Sequence, residues 1–174
     1  MPTVRRRPLP RARHLVPTSL ATLACAIVGT RATAVSVDSA WYESLRKPSF
    51  QPPRAAFPLA WTALYTDIAV VTAKALDELE PKERRRLVIA LAANLGLNAA
   101  WCWTFFARRE ISLAVPVAAA LAVSSTDLAR RAGRARPALG LALAPYAGWT
   151  TFATALSWAI AVLNLEEQQV AARR

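Results

Sequence analysis

The chain has 174 residues, of which 22 are Lys or Arg, 11 are Asp or Glu and one is His, giving a formal charge of +11, yet 55% of it is hydrophobic. So apolar a chain is neither disordered nor an ordinary basic nucleic-acid binder, its two Cys cannot build a disulfide framework, and one His cannot supply a His-based metal cage. What remains is an integral membrane protein with its positive charge in the loops.

A bilayer core about 30 Å thick takes roughly 20 apolar residues of helix. Residues 1–13 hold five Arg and three Pro and read as a basic, disordered arm that fixes topology. The first span, 15–37, carries Arg31 near its end. It is longer than the apolar stretch of a signal peptide and four more spans follow, so it is read as a membrane helix. The second span, 55–76, is interrupted by Asp67 and Lys74, and the third, 87–107, has no charge. The fourth, 111–129, has Asp127 close to its end, and the fifth, 138–165, is long enough to tilt or protrude. Residues 166–174 form a polar tail. Backbone amides in lipid must bond within their own segment, so these spans are helices. The expected fold is an all-α integral membrane domain over 14–165, a five-transmembrane-helix bundle.

The arm and the 77–86 and 130–136 loops together hold 13 Lys and Arg, whereas the 38–54 loop, Arg108–Arg109 and the C-terminus hold seven. The positive-inside rule then places the N-terminus in the cytoplasm. Helical spans without a cleavable signal point to a bacterial cytoplasmic membrane, not to a β-barrel outer membrane.

The 38–54 loop is the longest connection. Its segment Trp41-Tyr42-Glu43-Ser44-Leu45-Arg46-Lys47-Pro48-Ser49-Phe50-Gln51-Pro52-Pro53 is aromatic and stiffened by three prolines. It reads either as a lid over a cavity or as an interfacial aromatic belt. In the third span, helical spacing puts Asn94, Asn98, Trp101 and Phe105 on one face and Ala92, Gly96 and Ala100 on the opposite one. Amides facing lipid are costly, so they point to a pocket or to packed neighbours. The small residues suit close approach of a helix, from a second copy or from the same bundle. The second span aligns Phe57, Trp61, Tyr65 and Ile68, and the fifth aligns Tyr146, Trp149, Ala153 and Leu156. Such stripes either pack a core or line a pocket for a flat, apolar ligand with a few polar edges.

Asp67 is the exceptional polar residue. A mid-span acid either serves a proton path, as in a small proton- or solute-coupled transporter, or pairs with Arg31 or Lys74. Asp127 stands beside Arg130 and Arg131, a solvated pairing. His14 precedes the first span at the interface, and Cys25 and Cys102 behave as small hydrophobes. No metal-ligand cluster, nucleophile–His–acid set or Gly-rich phosphate loop is present, so no catalytic or metal residue is assigned from the pattern.

Four blocks carry a resemblance. Trp41-Tyr42-x-x-Leu45-x-Lys47-Pro48-x-x-x-Pro52-Pro53 resembles the first-loop signature of the tryptophan-rich sensory protein (TspO/MBR) family. Phe57-x-x-x-Trp61-Thr62-x-Leu64-Tyr65, Leu97-Asn98-x-x-Trp101-x-x-x-Phe105-Phe106, and Pro145-Tyr146-x-x-Trp149 with Leu163-Asn164 resemble its second-, third- and fifth-helix motifs, in order over most of residues 41–164. The resemblance implies five transmembrane helices and a cavity, closed by the first loop, that binds porphyrins. Carried over by motif, the pocket includes Tyr42, Trp61, Asn98, Trp101, Trp149 and Ala153. Asn94 stands where many relatives carry a polar residue, and Tyr65 and Tyr146 belong to the same stripes. The expected ligand is a tetrapyrrole resembling protoporphyrin IX, with no cofactor required. Arg46 and Lys47 are candidates for its propionates. Family dimers imply a homodimer seam at Ala92, Gly96 and Ala100. Some members resemble light-dependent porphyrin-degrading enzymes, in which case Trp61 and Trp149 would carry electron transfer. The animal members' cholesterol motif is absent after Tyr146, where Ala-Gly-Trp-Thr-Thr follows, and Asp67 is foreign to the pattern. The expected partners are this ligand, the bilayer and a second copy, with no nucleic acid.

Overall fold

A computed structural model describes the backbone of residues 11–172 and side chains as far as Asn164. Residues 1–10 of the expected arm and 173–174 of the expected tail lie outside the described residues. Seven α-helices in chain order, with one π-helical turn, form the bundle, and no strand occurs among the described residues. They are α1 (Ala12–Ala34), α2 (Ala40–Ser44), α3 (Ala56–Glu78), α4 (Pro81–Cys102) running into the π turn (Trp103–Ala107), α5 (Ile111–Ala135), α6 (Pro137–Ala142) and α7 (Ala144–Ala172). Among the described residues, five spans are long and apolar enough to cross a membrane: Ala12–Ala34, Ala56–Glu78, Pro81–Ala107, Ile111–Ala135 and Pro137–Asn164.

The ends differ from the hydropathy limits for local reasons. α4 starts six residues before its apolar run because Pro81 occupies the first turn, where a missing N–H costs nothing. Arg84 then donates to the Leu76 and Leu79 carbonyls at 2.9 and 3.0 Å, capping α3. The fifth span breaks at Leu143, because Pro145 can neither donate in the ladder nor tolerate the preceding turn. The stretch read as a polar tail continues α7 to Ala172.

α5 packs most extensively on α7 and α4, and α1 on α3. At the α5–α6 corner the two backbones approach closely. A Cβ on Gly140 would lie 2.9 Å from the Ala129 carbonyl oxygen and 3.0 Å from the Gly133 Cα, so only glycine fits there. Ion pairs gather at this end of the bundle. His14 Nδ1 lies 2.8 Å from Asp77, Arg134 lies 2.7 Å from Glu83, and Arg136 pairs with Glu78. Asp127 pairs with Arg130 at 2.5 Å and with Arg131, as the i,i+3 and i,i+4 spacing leads one to expect.

Among the described residues, two apolar clusters fill the interior. One, around Ile68, Leu87, Leu128, Leu143 and Tyr146, lies toward the basic loops. The other, around Tyr42, Phe105, Leu156 and Ile160, lies beneath the 38–54 loop. Leu20, Leu59, Val123, Leu141 and Trp158 face outward, as lipid-facing positions do.

Candidate functional site

A cavity of about 510 Å³ opens beneath the 38–54 loop, within the size range of small-molecule sites. α3 supplies Phe57, Pro58, Trp61 and Tyr65 to its wall, and α7 supplies Leu156, Ser157 and Ile160. Trp101 and Cys102 come from α4, and Phe105 and Phe106 from the π turn. In that turn the Arg108 N–H reaches back five residues to the Trp103 carbonyl at 2.8 Å. The wider turn brings two consecutive Phe to one wall, a use typical of π segments at functional sites. The Phe106 carbonyl it displaces accepts from Ser36 Oγ at 2.6 Å. Trp101 is oriented by its indole N–H, which donates to Ser157 Oγ at 3.2 Å.

The 38–54 loop is an ordered lid with α2 inside it. Ser39 caps α2 by accepting from the Tyr42 N–H at 3.3 Å, and Tyr42 is buried against the cavity. Two clamps hold the lid. At one edge the Arg109 guanidinium lies 5.3 Å from the centre of the Trp41 ring, and Arg109 Nε donates to Ser36 Oγ at 3.4 Å. Arg109 adopts φ 60°, a left-handed conformation that a non-glycine residue holds only when its surroundings impose it. At the other edge Asn164 accepts from the Arg46 N–H at 2.9 Å and donates to the Arg46 carbonyl at 3.0 Å. Burial pushes the Tyr42 phenol above its usual pKa, against the Arg54 charge and a Gln51 hydrogen bond, so it is a neutral hydroxyl at physiological pH.

Of the residues expected from the sequence, Tyr42, Trp61, Tyr65 and Trp101 stand on the cavity wall. Asn94, Asn98, Tyr146, Trp149 and Ala153 do not. The two amides and Tyr146 hydrogen-bond inside the bundle instead. The Tyr146 hydroxyl donates to Asn94 Oδ1 at 2.7 Å, Asn94 Nδ2 donates to Ser125 Oγ at 3.0 Å, and the Tyr65 hydroxyl donates to Asn98 Oδ1 at 2.9 Å. Trp149 packs edge-on to Phe57 and against Phe152. The cavity sits nearer the lid than these positions, so α7 meets it with the next turn, Leu156 to Ile160. Arg46 and Lys47 are also off the wall. Lys47 Nζ donates to the Tyr42 and Leu45 carbonyls at 2.5 and 3.2 Å and stands 4.6 Å over the Tyr42 ring, so it braces the lid.

Two contributions were not anticipated. α1 forms one side of the cavity through Ala26, Gly29, Thr30, Thr33 and Ala34. Their signal was a run of small residues at three- and four-residue spacing, which also reads as ordinary helix packing. Arg54, directly after Pro52-Pro53, joins Asp38 at the mouth with an Nη1–Oδ1 distance of 3.2 Å. Asp67 forms no ion pair with Arg31, Lys74 or any other described residue, and its Oδ2 is buried without a hydrogen-bond partner. The alternative of internal packing for the small stripe fails. Ala92, Gly96 and Ala100 are exposed, and nothing lies within 4 Å of a Cβ built on Gly96.

The model of the TspO/MBR family matches residues 18–163 of this chain, which spans the lid, the cavity wall and all five membrane helices. The chain belongs to the TspO/MBR family. It is 35% identical over 154 residues to the tryptophan-rich protein TspO of Archaeoglobus fulgidus, covering 86% of this chain and 96% of that one. It is 30% identical over 149 residues to protein CrtK of Rhodobacter capsulatus, covering 85% and 92%. The translocator protein of Sus scrofa is 31% identical over 129 residues, covering 69% and 72%. As a TspO/MBR protein with five apolar spans, the chain is an integral, multi-pass membrane protein. The four blocks that resemble the TspO/MBR motifs serve two structural ends. Trp41–Pro53 forms the lid and Leu163-Asn164 its anchor, whereas the blocks beginning at Phe57 and Leu97 bring aromatic rings to the wall.

Proposed function

We propose that this protein binds a tetrapyrrole, a flat porphyrin resembling protoporphyrin IX, in a sensory, regulatory or transport role. One observation carries the reading: a cavity of about 510 Å³ walled by Trp61, Trp101, Tyr65, Phe105 and Phe106 and roofed by Tyr42. Ring faces of this kind suit a flat conjugated ligand, and a wall mainly apolar with a few convergent polar groups fixes its orientation. The ligand site is therefore Tyr42, Trp61, Tyr65 and Trp101, with Asn94, Asn98 and Tyr146 as the buried frame behind it and Trp149 and Ala153 as packing around Phe57 and Leu156. Lys47 acts through the lid.

The membrane is proposed to be a bacterial cytoplasmic membrane with the N-terminus in the cytoplasm. The charge count supports this, because the basic loops share one end of the bundle and the lid lies at the other. The exposed stripe of Ala92, Gly96 and Ala100 supports a homodimer through α4.

Protoporphyrin IX titrated into the purified protein in lipid nanodiscs tests the ligand reading. Saturable quenching of Trp fluorescence is expected, weakened about tenfold by Trp61→Ala, the scale of one lost aromatic contact. Absence of saturable quenching in the wild type would overturn it.

Asp67 supports a second reading, a small proton- or solute-coupled transporter, because a buried carboxylate oxygen without a partner is costly in a membrane helix. Proteoliposomes holding the wild type or Asp67→Asn are compared for flux, and equal flux rejects the idea.

A further inference from the structure

Among the described residues, only two charged side chains stand on the cavity wall, and they face each other. Asp38 and Arg54 flank the mouth, one at each end of the lid, with Oδ1 and Nη1 3.2 Å apart. Both side chains are exposed, 83% and 53% respectively. An exposed ion pair contributes little to stability, so breaking it costs little. The contact engages a single guanidinium nitrogen, whereas a guanidinium is shaped to hold a carboxylate with two parallel N–H donors. Arg54 itself is well placed. It follows Pro52-Pro53, whose backbone is preset, and its guanidinium lies 5.6 Å from the centre of the Tyr42 ring on the cavity roof. Three residues earlier, Gln51 Oε1 is buried on the same wall without a donor. A buried acceptor in that state favours a ligand that brings an N–H or O–H.

We propose that Arg54 is the specificity-determining residue for an acidic ligand, and that Asp38 is an internal carboxylate which such a ligand displaces from it. This rests on the tetrapyrrole reading and adds to it that the ligand enters with a free carboxylate at the lid. No covalent step is involved. One carboxylate replaces another on the same guanidinium, and Asp38, already at the surface, returns to water. The arrangement selects against esters and neutral analogues, because they leave Asp38 in place and gain no charged contact.

The test uses wild type, Arg54→Gln and Asp38→Asn in lipid nanodiscs, titrated with protoporphyrin IX and with its dimethyl ester, with empty nanodiscs subtracted. The ring is the same in both probes. Wild type is expected to bind the acid about tenfold more tightly than the ester, the scale of one charge-assisted hydrogen bond. Arg54→Gln is expected to abolish that preference, lowering acid affinity about tenfold relative to the ester in the same variant. Asp38→Asn is expected to tighten acid binding about two- to fivefold relative to the ester, by removing the competing carboxylate. Equal acid and ester affinity in the wild type, or an acid preference that survives Arg54→Gln, overturns the assignment of Arg54 while leaving tetrapyrrole binding standing. Weaker acid binding in Asp38→Asn overturns the displacement. If neither probe binds saturably, the tetrapyrrole reading falls and takes this inference with it.

Discussion

Asn164, near the end of the fifth span, grips the backbone of Arg46 from both sides, accepting its N–H at 2.9 Å and donating to its carbonyl at 3.0 Å across 118 residues of sequence. A third bond, from Asn164 Nδ2 to the Ile160 carbonyl at 2.7 Å, holds the amide in its rotamer. The lid is thus fastened to α7 by an interaction that depends on one side chain and on no side chain of the lid. Asn164→Leu removes both bonds to the lid, about 1 kcal/mol each. Arg46 is exposed, so water replaces the lost partners and the effect is local opening. Tryptic cleavage after Arg46 is expected to accelerate about five- to tenfold with little change in melting temperature. An unchanged cleavage rate would show that Asn164 is not what holds the lid closed.

The buried frame makes a different prediction. Tyr146 is fully buried and its hydroxyl donates to Asn94 Oδ1 at 2.7 Å. Tyr146→Phe preserves the ring and leaves that oxygen without its donor, costing about 1 kcal/mol. Thermal unfolding in detergent is expected to occur at lower temperature, while porphyrin affinity and lid cleavage stay at wild-type values. A large loss of affinity without destabilisation would instead place Tyr146 in contact with the ligand.

Two glycines separate close packing from an open surface. Gly140→Ala drives a methyl against the Ala129 carbonyl and Gly133, prising α6 from α5 at about 1–3 kcal/mol. Gly96→Ala meets nothing within 4 Å and removes a helix-weakening glycine, so it is expected to leave the unfolding temperature unchanged or slightly raised. Gly96→Leu is expected to reduce chemical cross-linking into dimers without altering unfolding, if α4 is the seam between copies. Retention of the cross-link would remove that assignment.

Asp67 is expected to be a stability defect in the isolated bundle. Its Oδ2 is buried and unpartnered, so Asp67→Leu should stabilise the protein by about 1–2 kcal/mol, read as a higher melting temperature. A lower melting temperature would show that the Asp67 carboxyl stabilises the bundle.

Much of the architecture was legible because lipid imposes few choices. A run of about 20 apolar residues must be helical to satisfy its own backbone, so all five spans could be read from hydropathy. Local charge pairing was equally readable, since Asp127 and Arg131 are neighbours on any helix. Helical periodicity also assigned Asn94, Asn98 and Trp101 to one face correctly. It could not tell that the two amides meet Tyr146 and Tyr65 inside the bundle while Trp101, one turn on, meets the cavity.

The amino-acid sequence alone therefore determined the number of spans, the asymmetry of their basic loops, the aromatic character of the site and, through its motif blocks, the family. Tertiary structure decided where the cavity lies, that α1 forms part of its wall, that Arg54 and not Lys47 stands at its mouth, and that the small stripe on α4 faces outward. The physical reason is that spacing fixes the direction in which a side chain leaves its helix, whereas what it meets depends on the tilt, crossing and breaks of other helices. The break at Pro145, the close crossing at Gly140 and the π turn at Trp103 set those here.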